Sequence, residues 1–122
     1  MGKLAILLLT PPYTDQNSEA VINLARVAIK KGHEVIGIYT NADGVYNANK
    51  NISPAEKGTR NLAELFQELG DLGIPMICCP ICATFRGVKK DDQLIDNATF
   101  EGLGAFAELV NECDVLVSFS GQ

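Results

Sequence analysis

The stretch Lys3-Leu4-Ala5-Ile6-Leu7-Leu8-Leu9, halted by Thr10-Pro11-Pro12, decides the fold class. It is a continuous apolar run without polar residues in alternate places, so it predicts a strand covered on both faces. Strands of that kind belong to parallel sheets, whose faces are covered by the helices that join one strand to the next. The following residues supply such a helix. From about Gln16 to Lys31, Val21, Leu24, Ala25 and Ala28 recur at the spacing of one helical face, Lys30 and Lys31 suit its C-terminal end, and Gly32 suits its cap.

The same alternation continues along the chain. Glu34 to Thr40 (EVIGIYT) predicts a second strand, and the polar stretch Asn41 to Pro54 contains the turn pair Asp43-Gly44. That connection is long for a compact domain, which marks it as a candidate functional loop. Leu62, Leu65, Phe66 and Leu69 predict a second helix closed by Gly70 and Gly73, and Ile74 to Cys78 a third strand. Pro80 suits the first turn of a short helix running to Phe85 or Arg86, with Gly87 ending it. Lys89 to Asn97 has no periodicity and reads as an exposed, mobile connection. Leu103, Phe106, Ala107 and Val110 predict a last helix, and Val115 to Phe119 a last strand.

Four buried strands alternating with helices predict a flavodoxin-like α/β sandwich of three layers, a mostly parallel sheet between helices. At 122 residues the chain has room for one domain, spanning 1–122. Reactive groups in such folds collect beyond the carboxyl ends of the strands. Four segments reach that edge: Pro11 to Thr14, Asn41 to Asn49, Cys78 to Cys82, and Ser118 to Ser120.

Composition narrows the function. Ten Lys and Arg against 15 Asp and Glu give a net charge of -5, which disfavours nucleic-acid backbones and anionic membranes as partners. The longest apolar run is far short of the roughly 20 residues a membrane helix needs, and Lys3 alone is a poor signal-peptide start, so a cytoplasmic protein is expected. Three of the four cysteines crowd into Cys78, Cys79 and Cys82, which favours reactive thiols or a metal over a disulfide framework. A zinc site lacks a second C-x-x-C and has only His33 to add, so no metal is assigned. The Thr10 to Asn17 loop lacks glycine-rich phosphate-binding spacing, which argues against a flavin or nucleotide, and no cofactor is assigned.

Cys79 is the first candidate nucleophile, because it stands where a strand gives way to a helix and faces unpaired N–H groups and the positive end of the helix dipole. The bland alternative is a small buried hydrophobe. Cys79-Pro80-Ile81-Cys82 also has the C-x-x-C spacing of dithiol redox proteins, with Cys82 as a resolving or accessory thiol. Against that class, its motif usually follows an early strand and here follows the third. Arg86 lies four residues beyond Cys82 and offers electrostatic support there, or simply a cation at a helix C-terminus. Tyr13, Asp43, Tyr46, Asn47 and Asn49 are candidates to line a pocket around Cys79, although turn and capping chemistry is the better reading for the asparagines. Cys113 reads as packing and His33 as structural.

These blocks resemble the DsrE/TusD family of sulfur-relay proteins. Asp43-Gly44-Val45-Tyr46-Asn47-Ala48-Asn49 with Ser53-Pro54 is similar to that family's loop. Cys79 to Val88, ending Arg86-Gly87-Val88, is similar to its cysteine-helix-Arg-Gly-Val segment, and Gly102-Leu103-Gly104 through Cys113-Asp114 to Phe119 to its last helix and strand. The resemblance spans nearly the whole chain in the same order. It implies a cytoplasmic sulfurtransferase subunit that accepts sulfane sulfur as a persulfide on Cys79 and passes it to an acceptor protein, in tRNA 2-thiouridine synthesis or sulfur oxidation. It further implies sulfur-donor and sulfur-acceptor partners, with homologous DsrF/TusC-like and DsrH/TusB-like subunits or a homo-oligomer. Cys78 and Cys82 depart from the family pattern, where apolar or small residues generally flank the carrier cysteine. A persulfide on Cys79 attacked by Cys82 would make the protein a dithiol reductase instead.

Overall fold

Five parallel strands and four α-helices alternate along the chain in the computed structural model, which describes residues 1–121. In chain order they are β1 (Lys3–Leu8), α1 (Asn17–Lys30), β2 (Glu34–Thr40), a 3-10 helix (Ala42–Ala48), α2 (Leu62–Gly70), β3 (Met76–Cys78) and α3 (Pro80–Phe85). A short 3-10 turn (Asp91–Gln93), β4 (Ala98–Phe100), α4 (Leu103–Glu112) and β5 (Val115–Phe119) follow.

The strands lie in the order β4-β3-β2-β1-β5. Each of the first three crossovers steps one strand in the same direction, and the chain then returns across the sheet to place β5 beside β1. Right-handed crossovers in opposite directions put α4 on the opposite face from α1 and α2, which makes the three-layer α/β sandwich predicted from the run at Lys3. Ala5, Ile6 and Leu8 of that run are fully buried at the centre of the sheet. On the α1 and α2 face the core is closed by Val21, Ile22, Leu62, Phe66 and Leu69. Burying each such large side chain contributes roughly 1.5–3 kcal/mol against the entropy of ordering the chain. On the other face Leu109 of α4 packs so close over β2 that a Cβ at Gly37 would lie 3.0 Å from its Cδ2.

The structure corrects three expectations. Ala98–Phe100 is a fifth strand, three residues long and too short to carry a sequence pattern, paired with β3. The preceding Lys89 to Asn97 segment is not exposed throughout: Leu94 and Ile95 are buried, and the Asn97 amide donates to Phe66 O and Ile74 O. The last strand is not covered on both faces either, since β5 is an edge with Val115 and Leu116 exposed.

Candidate functional site

The carboxyl end of β3 holds the three crowded cysteines. Cys78 is the last residue of the strand, paired with Thr40 of β2 on one side and Phe100 of β4 on the other, and its thiol is fully buried. Cys79 leaves the sheet as the residue that caps α3, in an extended conformation, with its N–H donating to Thr40 O at 3.0 Å. Pro80 then opens the helix where no N–H is required, as its position in the sequence predicted. One turn later Cys82 comes back beside Cys79, and Arg86 beside Cys82. The helix stops at Gly87, whose φ of 79° is the left-handed region that favours glycine.

The other wall is the segment read as a polar loop. It is a 3-10 helix whose Val45, Asn47 and Ala48 are buried, capped by Asn41. Asp43-Gly44, expected as a simple turn, serves a closer fit: a Cβ at Gly44 would lie 2.0 Å from Leu8 O, so only glycine lets this helix rest on the end of β1. Two links join the wall to α3. Cys82 Sγ donates to Asn41 Oδ1, and Arg86 bridges the gap, with Nε on Asp43 Oδ1 and Nη1 on Cys82 O.

The thiols differ electrically. For Cys79 the largest single influence is burial, which opposes ionisation. The N–H of Cys82, the Cys82 thiol, the N–H of Ile81 and the Tyr39 hydroxyl together outweigh it and hold the Cys79 thiol below the ordinary cysteine value. With only six residues in α3, these individual donors matter more than the helix dipole. Cys82 moves the other way, pushed up by burial first and by its neighbour Cys79, against the lowering pull of the Ala42 N–H and Arg86. Burial pushes Cys78 up to about 11 despite a hydrogen bond with Thr40. Arg86 is held protonated by its hydrogen bond to Asp43.

Of the residues singled out in the sequence, Cys79, Cys82, Arg86 and Asp43 come together at this edge, with Tyr46 near Arg86. Asn47 does not line an opening: it is fully buried, its amide donating to Thr10 O and Gly44 O and its oxygen accepting from Ser18. Asn49 accepts from the Asn51 N–H within its own turn, the capping chemistry favoured for it. Tyr13 points elsewhere, its hydroxyl donating to Arg60 O and accepting from the Leu62 N–H at the start of α2. Cys113 donates to Val110 O of its own helix, and His33 Nδ1 accepts from the Gly2 N–H, a structural contact. The sequence reading passed over two residues of the site. Tyr39 looked like strand packing, and it does pack against Phe106, but its hydroxyl donates to Glu101 O and favours ionisation of Cys79. Asn41 looked like one more polar loop residue. Among the described residues no group of three or more His, Cys, Asp or Glu is placed to hold a metal ion, and no helix is long and apolar enough to cross a membrane.

With this geometry in view, similarity to known proteins becomes specific. The DsrE/DsrF-like family matches residues 2–119, essentially the whole α/β sandwich with its cysteine edge. The chain belongs to the DsrE/DsrF-like family. Among its relatives, the protein named Sulfurtransferase TusD of Salmonella arizonae is 31% identical, over 96% of this chain and 99% of the relative. The protein of the same name from Salmonella typhi is 30% identical over the same shares. The solved structure of the ychN protein of E. coli superposes on this DsrE/DsrF-like chain with a TM-score of 0.85 at 20% identity, covering 98% of this chain and all of that one. A structure from Methanobacterium thermoautotrophicum, titled a protein of unknown function, superposes at 0.76 with 13% identity and the same coverage. Those two likenesses show the fold.

Proposed function

We propose that the protein is a cytoplasmic sulfurtransferase subunit that carries sulfane sulfur as a persulfide on Cys79 and passes it to an acceptor protein. The observation that carries this reading is the sorting of the thiols: of Cys78, Cys79 and Cys82, Cys79 alone has hydrogen-bond donors that outweigh its burial and hold its thiol below the ordinary value. The thiolate attacks the outer sulfur of a donor persulfide, the donor's S–S bond breaks, and the donor thiolate leaves as the Cys79 persulfide forms. Transfer onward repeats the same exchange with the acceptor's thiolate, so no electrons are gained or lost overall. Relatives named as sulfurtransferases support the reaction class. Donor and acceptor proteins would meet Cys79 beside Ile81 and Phe85, apolar side chains that α3 leaves exposed. TusC-like and TusB-like subunits or further copies of this chain complete the proposed assembly, working in tRNA 2-thiouridine synthesis or sulfur oxidation.

A second reading is favoured by the placement of Cys82 one helical turn after Cys79, near enough for each thiol to shift the other's ionisation. A Cys82 thiolate that attacked the Cys79 persulfide would expel sulfide and leave a disulfide, the chemistry of a dithiol reductase. One experiment separates the two: the reduced protein is treated with a persulfide donor and weighed intact, beside Cys79→Ser and Cys82→Ser. A gain of one sulfur, about 32 Da, abolished only by Cys79→Ser, supports the carrier. A loss of two hydrogens with no added sulfur overturns it in favour of the reductase.

A further inference from the structure

We propose that Asn41 is the positioning residue that keeps Cys82 a protonated hydrogen-bond donor, so that sulfur stays on Cys79 rather than leaving as sulfide. This rests on the carrier reading above and adds the residue that makes it possible in a chain with a C-x-x-C pair.

The side-chain orientation of Asn41 is set by the backbone. The Ala42 N–H donates to it at 3.0 Å, and an N–H can only donate, so the atom facing it is the amide oxygen. The same oxygen lies 2.6 Å from Cys82 Sγ. A thiol meets a carbonyl oxygen as a donor, whereas a thiolate there would set two electron-rich atoms against each other with no proton between them. The Ala42 N–H, which also donates to Asn41 Oδ1, draws Cys82 toward ionisation, and the Asn41 oxygen is the acceptor set against that pull. Ala42 holds this arrangement at φ 50°, a left-handed conformation uncommon outside glycine. The titratable groups around Cys82 are Cys79 and Arg86 from its own segment and Tyr39 from β2, with Asp43 and Tyr46 of the 3-10 helix acting on Arg86.

The step held back is the attack of a Cys82 thiolate on Sγ of Cys79 in the Cys79 persulfide. The outer S–S bond breaks, a Cys79–Cys82 disulfide forms, hydrosulfide departs, and the proton lost by Cys82 goes to solvent. The sulfane sulfur is reduced and the two cysteines are oxidised, with no outside reagent.

The test has two arms, both on the full chain. In a Cys79→Ser background, iodoacetamide alkylation at the Cys82 peptide is followed against pH by mass spectrometry. Asn41→Ala is expected to move the midpoint down by roughly one unit and Asn41→Asp, which adds a negative charge at the same atom, to move it up. A midpoint that stays or rises in Asn41→Ala overturns the proposal. Should that variant fail to fold, an Asn41→Asp midpoint that stays or falls overturns it equally. In the second arm, wild-type protein loaded from glutathione persulfide is freed of donor and its sulfide release timed. Asn41→Ala is expected to shorten the persulfide's lifetime about tenfold, and adding Cys82→Ser to restore it; an unchanged lifetime overturns the proposal. If wild type takes up no sulfur, the carrier reading falls, and the alkylation arm still decides the role of Asn41.

Discussion

Arg86 Nε meets Asp43 Oδ1 at 2.6 Å while its Nη1 holds Cys82 O at 2.9 Å, so one guanidinium ties the 3-10 helix after β2 to the helix that follows Cys79. The pair is not buried, with 25% of the Arg86 side chain and 55% of Asp43 open to water, so its strength is that of a screened surface contact. A double-mutant cycle of Arg86→Ala and Asp43→Ala is expected to give a coupling of about 0.5–1 kcal/mol in urea unfolding, falling at high salt. Arg86→Ala also removes a cation that favours the Cys82 thiolate, so Cys82 alkylation at neutral pH should slow rather than quicken. Faster alkylation would mean that Arg86 acts chiefly by shielding the thiol.

Cys78 gives stability an alkaline limit. Its thiol is raised from an ordinary value near 9 to about 11 in the folded chain, so the folded state binds the proton more tightly than the unfolded state does. The contribution is fully present below pH 9, where both states are protonated, and is lost as pH rises toward 11 and the unfolded thiol ionises first. At about 1.4 kcal/mol per unit the loss is on the order of 2–3 kcal/mol. Urea unfolding under reducing conditions at pH 8 and pH 10.5 should show it in wild type. In Cys78→Ala, which lacks the thiol, the same pH step should cost measurably less.

Asn47 is a stability residue. Its amide donates at 2.9 Å to Thr10 O and 3.0 Å to Gly44 O, and its oxygen accepts from Ser18 at 2.6 Å, all away from water. Asn47→Ala leaves these three partners without their bonds, so a loss of about 2–4 kcal/mol is expected in chemical denaturation. A change under 0.5 kcal/mol would mean that water enters and replaces the amide.

These residues also show what the sequence could and could not disclose. The fold was legible because its signals repeat: the Lys3 run and the Val21 and Leu62 periodicities are each long enough to fix an element's type. Ala98–Phe100 was not, because three residues hold no period, and its place depends on pairing with β3, which is distant in sequence. The cysteine edge was legible in Cys79, Cys82 and Arg86, which are local to one helix. Asn41 and Tyr39 escaped notice because their roles arise only when β2 and β3 lie side by side and bring residue 41 to residue 82. Asn47, a pocket candidate for which turn and capping chemistry was the better reading, does bond Gly44 O in its own turn, but nothing local says that the 3-10 helix also turns it inward onto Thr10 and Ser18.

Tyr39 offers the sharpest separation of packing from chemistry. Its ring centroid lies 5.1 Å from that of Phe106 in a tilted contact, and phenylalanine preserves that contact. Its hydroxyl donates to Glu101 O at 3.3 Å and, where it turns to Cys79 instead, favours the thiolate. Tyr39→Phe is therefore expected to change stability by less than about 1.5 kcal/mol, the scale of one neutral hydrogen bond. The same substitution should move the pH midpoint of Cys79 alkylation upward by several tenths of a unit and slow alkylation at neutral pH about two- to fivefold. Because Cys79 ionises more readily folded than unfolded, its thiolate stabilises the fold above the unfolded value near 9, and that contribution is lost as pH falls through the folded value. Tyr39→Phe should narrow that window from below, seen as a smaller stability difference between wild type and Cys79→Ser at pH 9. If Tyr39→Phe leaves the Cys79 midpoint where it was, the hydroxyl serves Glu101 alone, and the backbone donors of Ile81 and Cys82 with the Cys82 thiol suffice to sort the cysteines.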